Sequence, residues 1–336
     1  MSITFEILGD AGKDNAALVR VDTGQSLERL LFDCGERCLD TLTVSEVQAV
    51  DHLLFSHLHM DHVAGFDSFF RATYDRTSKP NSIWGPPETI RIIQHRFQGF
   101  MWNLVAGHSA AWEVCEIHPD RIERARFLTG EQFAQAHPLP PLPGGPLIDT
   151  PAFSVEAIQL DHHIPSMAYI VREKPRQRID PVWLAELGLR PGPWLQLVKA
   201  PPQPDDPPTV LIENAPHDLA ALRAALLIEV PGESLAYLTD FLLDDTAQER
   251  LVPALRGCTT LICESQYRHD DLELARRHYH LTAAQAADLA RRAEVGELVL
   301  FHLSERYQRE GWREQLAEAR AIFPNARFAT HWRMGS

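Results

Sequence analysis

The sequence predicts a layered α/β domain with its functional site along one sheet edge. Two observations carry this. Short apolar strands alternate with helical patterns along most of the chain, and metal-ligand residue types recur where those strands end. One of these strand ends carries four ligand-type residues within six positions, His57-x-His59-x-Asp61-His62. The chain has 336 residues, 45 % of them apolar, which suits one large domain with an insertion rather than a disordered chain.

The elements follow in order. Residues 3–8, 17–21 and 29–33 read as strands, the third ending in Asp33-Cys34-Gly35. A short helix fits 41–50, with Val44, Val47 and Val50 on one side. Strand 52–56 runs into the His motif, and Ile83–Pro87 reads as a strand ending in a Gly-Pro turn before a helix from about Glu88. The stretch from His137 to Pro151, crowded with Pro and Gly, reads as loop. Strands follow at 153–160 and 167–172. Residues 173–234 differ in kind, with a basic run (Arg172, Lys174, Arg176, Arg178), a helix candidate near 181–188 and the segment APPQPDDPP. They read as an arm inserted in a single domain spanning 1–336. Strands 235–239 and 259–263 lead to Asp240 and Glu264. A helix at 282–294 has Thr282 as N-cap, strand 297–301 ends at His302, and a last helix covers about 311–322.

Composition bounds the function. The opening MSITFEILGD has no signal-peptide pattern, and no run of eighteen apolar residues occurs, so a cytoplasmic protein without a membrane span is expected. Five cysteines at irregular spacing are not a disulfide framework. A net charge of −14 argues against a surface that binds nucleic acid everywhere, though not against a local basic patch.

The motif carries the chemistry. His57 and His59, two apart after a strand, point to one side and can share a metal. Asp61 and His62 point elsewhere and can reach a second one. Imidazole with carboxylate suits Zn²⁺, with Mn²⁺ or Fe²⁺ as alternatives. Two metals need more ligands than the motif offers. His162 (with His163 beside it), Asp240 and His302, each at the end of a later strand, can supply them.

At these residues the chain resembles the metallo-β-lactamase superfamily, whose signature is Phe55–Gly65. Within it the chain is similar to the ribonuclease Z family, which trims the 3′ end of precursor tRNA. Leu31–Glu36, Trp84-Gly85-Pro86, Leu160–Tyr169, Tyr237–Asp240, His278–Thr282 and Leu298–Tyr307 match its motifs in the family's order. The resemblance implies an αββα four-layer sandwich with an inserted projecting arm, two Zn²⁺ ions and a homodimer. It assigns His57, His59 and His162 to one metal, Asp61, His62 and His302 to the other, and Asp240 to both, the spacing to Tyr169 selecting His162 over His163. It also implies that a metal-bound hydroxide attacks the phosphate, that Asp61 orients or deprotonates it, that His280 protonates the leaving oxygen and that Glu264 orients His280. Asp33 is expected to orient a ligand His from behind. Leu187–Trp194 is similar to the Gly-Pro segment of the family's tRNA-gripping exosite.

The chain departs from the family in places. The early Pro-x-Lys-x-Arg-Asn loop is shortened to Gly9–Asn15, keeping Lys13 and Asn15. Cys263-Glu264-Ser265-Gln266 replaces the His-Glu-Ala-Thr motif, Leu281 replaces Ser, and residues 95–140 match nothing in the pattern. The departures fall on substrate recognition. They leave open an alternative, a hydrolase or phosphodiesterase of this fold acting on a small molecule.

Overall fold

The computed structural model describes residues 2–332. Among them, two large sheets form the core. The first holds eight strands in chain order: β1 (Ser2–Leu8), β2 (Ala16–Asp22), β3 (Leu27–Phe32), β4 (His52–Leu54), β5 (Asn81–Gly85), β6 (Ala111–Ile117), β7 (Arg121–Leu128) and β8 (His137–Pro143). The middle strands β3 to β6 are parallel, and both flanks are antiparallel. Helices α1 (Val44–Gln48), α2 (Met60–Val63), α3 (Phe66–Thr73) and α4 (Thr89–Phe97) lie in its connections.

The second sheet begins with β9 (Ile148–Asp149), β10 (Phe153–Asp161) and β11 (Pro165–Glu173). Four further strands, β12 (Arg176–Ile179), β13 (Thr209–Ile212), β14 (Ala215–Asp218) and β15 (Leu227–Val230), belong to the inserted segment. The second sheet resumes with β16 (Ser234–Leu238), β17 (Thr260–Glu264), β18 (Glu297–Phe301) and β19 (Ala326–Phe328), in the order β19-β18-β17-β16-β11-β10-β9. The run β16 to β19 is parallel. Helices α8 (Asp245–Leu255), α9 (Leu272–His278), α10 (Ala283–Arg292) and α11 (Gln308–Ile322) accompany it.

Strand periodicity explains the layering. Ile7, Ala17, Val19, Leu30 and Phe32 point to one face and pack with Tyr169, Tyr237 and Ile262 of the second sheet in one continuous core. Their neighbours Leu8, Ala16, Leu18 and Leu31 point the other way and pack under Val47, Phe66, Phe70 and Phe97 of α1, α3 and α4. On the far side of the second sheet, Leu251, Ala286, Ala290 and Leu316 of α8, α10 and α11 join its core. The result is helix, sheet, sheet, helix, an αββα sandwich.

Most elements lie within a few residues of the sequence reading. Thr43 and Thr282 cap α1 and α10 with reciprocal capping boxes. One reading, loop from His137 to Pro151, is corrected, since that stretch holds β8 and the two-residue β9. Residues 137–143, expected to be loop, form strand β8 despite Pro138, Pro140, Pro141 and Pro143. The strand lies at the sheet's edge and pairs only with β7, so missing N–H groups there break no ladder on its outer side.

The chain divides into two compact units, one running to Arg172 and again from Glu233, the other spanning Glu173–Gly232. The second has its own small core. Leu184, Trp194, Val198, Ile212, Leu219 and Leu226 pack together from α5 (Pro181–Glu186), α6 (Trp194–Lys199), α7 (Leu219–Leu226) and two hairpins, β12–β15 and β13–β14. Asp180 caps α5, accepting from Val182 N at 2.8 Å, and Pro181 stands where its absent N–H is harmless. No helix among the described residues is long and apolar enough to cross a membrane.

Candidate metal centre

The site forms where the parallel strands of both sheets end. Strand β4 stops at Leu54, and the His motif continues as an irregular turn into α2. His59 is the N-cap of α2 while Asp61 and His62 lie inside it. Helical geometry, rather than strand alternation, therefore turns Asp61 and His62 away from the first pair. Two glycines allow the motif to lie against the end of β3. A Cβ on Gly65 would stand 2.1 Å from the Gly35 carbonyl oxygen, and one on Gly35 would stand 2.4 Å from that of Asp61. The close approach lets Cys34 N donate to His62 O at 2.8 Å and Gly65 N to Cys34 O at 2.9 Å.

The remaining residues arrive from the second sheet. His162 sits in the β10–β11 turn, Asp240 follows β16, Glu264 ends β17, His280 precedes α10 and His302 follows β18. Asp33, His163, Asp240, Tyr279 and His302 all have left-handed backbones, with φ between 48° and 60°. Non-glycine residues held this way at five points around one cleft are strain that the surrounding fold must maintain.

Two ligand sets result. The ring nitrogens of His57, His59 and His162 converge, with His57 Nε2 3.1 Å from His59 Nδ1. Asp61, His62, Asp240 and His302 form the second set. Asp240 joins them. Its Oδ2 lies 3.7 Å from His57 Nε2, 3.8 Å from His162 Nε2 and 3.4 Å from His62 Nε2, and its Oδ1 lies 3.4 Å from His302 Nδ1. Asp61 Oδ2 lies 3.4 Å from His62 Nε2 and 3.6 Å from His302 Nε2. These separations exceed hydrogen bonds, yet His62 Nε2 is buried with no hydrogen-bond partner. A buried, unpartnered nitrogen facing two carboxylates suits a divalent metal, so the residues fit one.

Supporting groups fix the ligands. Asp33 is fully buried and accepts from Ser56 N at 2.6 Å, Ser56 Oγ at 2.7 Å and Tyr237 OH at 2.8 Å, and its Oδ2 lies 2.9 Å from His62 Nδ1. This sets which His62 nitrogen faces the cleft. The Tyr279 carbonyl does the same for His162, 2.8 Å from its Nδ1. His163, by contrast, packs against the Tyr279 ring, with centroids 3.6 Å apart and planes inclined at 35°. Glu264 accepts from Phe241 N at 3.0 Å and Leu281 N at 3.3 Å, and its Oε2 holds His280 Nδ1 at 2.9 Å. Burial pushes His280 down, but the Glu264 and Asp240 carboxylates outweigh it and raise it to about 9. For Asp61, burial works against ionisation, and the His302 and His62 imidazoles beside it outweigh burial and hold the carboxyl well below its ordinary range.

The altered early loop has a structural use. Asn15 is buried, donates to Asp10 O at 3.1 Å and accepts from His302 N at 3.3 Å, while Lys13 pairs with Glu305. Reading the sequence missed Ser56, Tyr237 and Asn15 as supports, although each lies in a quoted motif or loop. Tyr279 acts through its backbone, which leaves no side-chain signal.

Comparisons with known proteins follow the same lines. A family model described as Anti-Pycsar protein Apyc1 matches residues 13–137. The chain is 49 % identical over 335 residues to a Ribonuclease Z of Deinococcus radiodurans, covering 99 % of this chain and 100 % of that one. A Ribonuclease Z of Bradyrhizobium sp. is 30 % identical, covering 90 % of this chain and 88 % of that one. Among solved structures, the metallo-β-lactamase fold protein YhfI from Bacillus subtilis superposes with TM-score 0.58 at 16 % identity, covering 98 % of this chain and 96 % of that one. Human tRNase Z, short form, superposes with TM-score 0.52 at 19 % identity, covering 92 % and 94 %.

Proposed function

The chain belongs to the ribonuclease Z family, and from that premise we propose that it is a zinc-dependent endoribonuclease that removes the 3′ trailer from precursor tRNA. The observation that carries the reading is the pair of ligand sets joined at Asp240, with His280 held beside them by Glu264. His57, His59 and His162 would hold one Zn²⁺, Asp61, His62 and His302 the other, and Asp240 both. When bound, the two ions would lower the pKa of water and neutralise charge on the phosphate. Mn²⁺ or Fe²⁺ suits the same donors.

The chain's own residues do the rest. Asp61 orients the attacking water and can accept its proton at a carboxylate oxygen. His280 has Nδ1 engaged by Glu264, whose carboxylate favours the protonated ring. Its Nε2 is therefore the atom that would protonate the leaving oxygen. Glu264, fixed by two backbone N–H groups, holds the ring in place. The unit Glu173–Gly232, with Arg176 and Arg178 on β12, is the segment we assign to gripping the tRNA backbone, in a cytoplasmic homodimer.

One observation favours a second reading, a phosphodiesterase acting on a small molecule. Lys13 and Asn15, the remnants of the early recognition loop, are engaged by Glu305 and by the His302 backbone. The decisive assay sets a precursor tRNA with a 3′ trailer beside bis(p-nitrophenyl) phosphate, using zinc-loaded protein and Asp61→Ala as blank. Cleavage after the discriminator base, reduced at least about 10²-fold in Asp61→Ala, is expected. Turnover of the small diester with an untouched precursor would overturn the tRNA assignment.

A further inference from the structure

A second group of metal-ligand residues lies outside this site, on the β6–β7 hairpin. Glu116 and Glu123 stand directly opposite each other in the antiparallel register. His118 lies two residues beyond Glu116 and starts the turn, its N donating to Arg121 O at 2.9 Å. Like charges directly opposed across a strand pair destabilise it unless something offsets them. Here each carboxylate has one oxygen satisfied and one left over. Glu116 Oε1 accepts from Ile90 N at 2.9 Å, at the start of α4. Glu123 Oε1 accepts from Arg121 Nε at 2.9 Å and Nη2 at 2.6 Å. The other two oxygens both face one atom. Glu116 Oε2 lies 3.5 Å and Glu123 Oε2 3.8 Å from His118 Nε2.

That nitrogen is sealed from solvent and has no hydrogen-bond partner. If His118 were a cation bonded to these carboxylates, contacts of about 2.7–2.9 Å would be expected. Ligand atoms 2.0–2.2 Å from a tetrahedral zinc stand roughly 3.3–3.6 Å apart, a range that holds the Glu116 separation and that the Glu123 separation exceeds by a little. At the catalytic centre the buried, unpartnered His62 Nε2 likewise stands 3.4 Å from both Asp61 Oδ2 and Asp240 Oδ2. The hairpin repeats that signature in miniature. Glu123 falls where the β7–β8 register shifts, between Ile122 and Arg124, and such a bulge re-aims the side chain it carries. His118 also lines a cavity of ≈ 300 Å³ with Pro119, Gly144, Gly145 and Arg250.

We propose that Glu116, His118 and Glu123 bind a divalent cation, with Zn²⁺ the best fit to one imidazole and two carboxylates and solvent completing the shell. The ion joins the hairpin to the first turn of α4 through Glu116. It is remote in role from catalysis, since none of the three residues belongs to either ligand set at Asp240.

The test is a zinc count on the full chain. Protein stripped with a chelator is reloaded with Zn²⁺, desalted, and measured by elemental analysis alongside His118→Gln, Glu123→Gln and Asp61→Ala. Both hairpin variants are expected to hold one equivalent fewer than the parent protein, with trailer cleavage within about twofold of it. Asp61→Ala is expected to retain the hairpin equivalent, so a failure of the catalytic assignment shows separately. As a second readout, micromolar Zn²⁺ added to the parent should raise its Tm by a few degrees more than it raises that of Glu123→Gln, a same-sized change at a partly exposed position. Equal zinc counts in the parent and both hairpin variants, or equal Tm shifts, would overturn the proposal.

Discussion

The catalytic centre and the β6–β7 hairpin both place a buried imidazole nitrogen between carboxylates, but they are supported very differently. At the centre, His62 is held by Asp33, which is itself held by Ser56 and Tyr237. His162 is held by the Tyr279 carbonyl, and His280 by Glu264. Five residues around it adopt left-handed backbones. The hairpin triad instead uses ordinary strand geometry, one helix-start N–H and one arginine. The difference teaches where preorganisation is needed. A group that must hold or move a proton needs its orientation fixed from behind, whereas a cation that ties two elements together needs only charge and spacing.

This contrast can be broken at its strongest point first. His280→Ala should reduce trailer cleavage by about 10²–10⁴-fold while leaving the zinc count unchanged. Loss of zinc together with activity would mean that His280 is a ligand, and the division of labour at the centre would have to be redrawn. A smaller effect is expected from Asp33→Asn. It removes the carboxylate behind His62 without emptying the space, and should weaken metal binding by about 10–100-fold, read as a higher zinc concentration for half-maximal activity. If affinity is unchanged, the buried network around Asp33 serves folding alone.

How much of this was visible beforehand depends on whether the information is local. His57, His59, Asp61 and His62 sit within six residues, and His162, Asp240 and His302 each follow a recognisable strand, so their convergence could be read from strand-end logic. Asp33 was expected as a supporting group through the family resemblance of Leu31–Glu36, not through any local pattern. Residues 137–143 were not legible as a strand, because proline content is a local signal and edge position is a tertiary one. The Glu116–His118–Glu123 group was hidden for the same reason. Glu116 and Glu123 meet only through the hairpin register, and nothing in residues 95–140 announces that register. Asn15 was read as a remnant of substrate recognition, yet it anchors the His302 backbone, a contact 287 residues apart in sequence.

His52 supplies a third setting, a half-buried histidine whose ring faces no ligand set. Trp84 Nε1 donates to its Nδ1 at 3.2 Å, which requires that nitrogen to be an acceptor. The nearby Asp51 carboxylate is already engaged by Lys79 Nζ at 2.5 Å and Arg29 N at 2.8 Å. Burial therefore prevails and lowers His52 from its ordinary 6.5 to about 4. A depressed value means that the folded state binds its proton later than the unfolded chain does. The stabilisation is fully present above pH 6.5 and is lost as pH falls toward 4. Between pH 7.5 and 5.5 the loss should be about 1 kcal/mol. Urea unfolding of the parent and His52→Gln at both pH values isolates it. The parent's advantage over the variant should shrink by that amount at the lower pH, because only the parent carries the depressed imidazole. An advantage that stays constant would mean that His52 titrates alike folded and unfolded, and that burial away from a free carboxylate does not set the charge of a histidine in this fold.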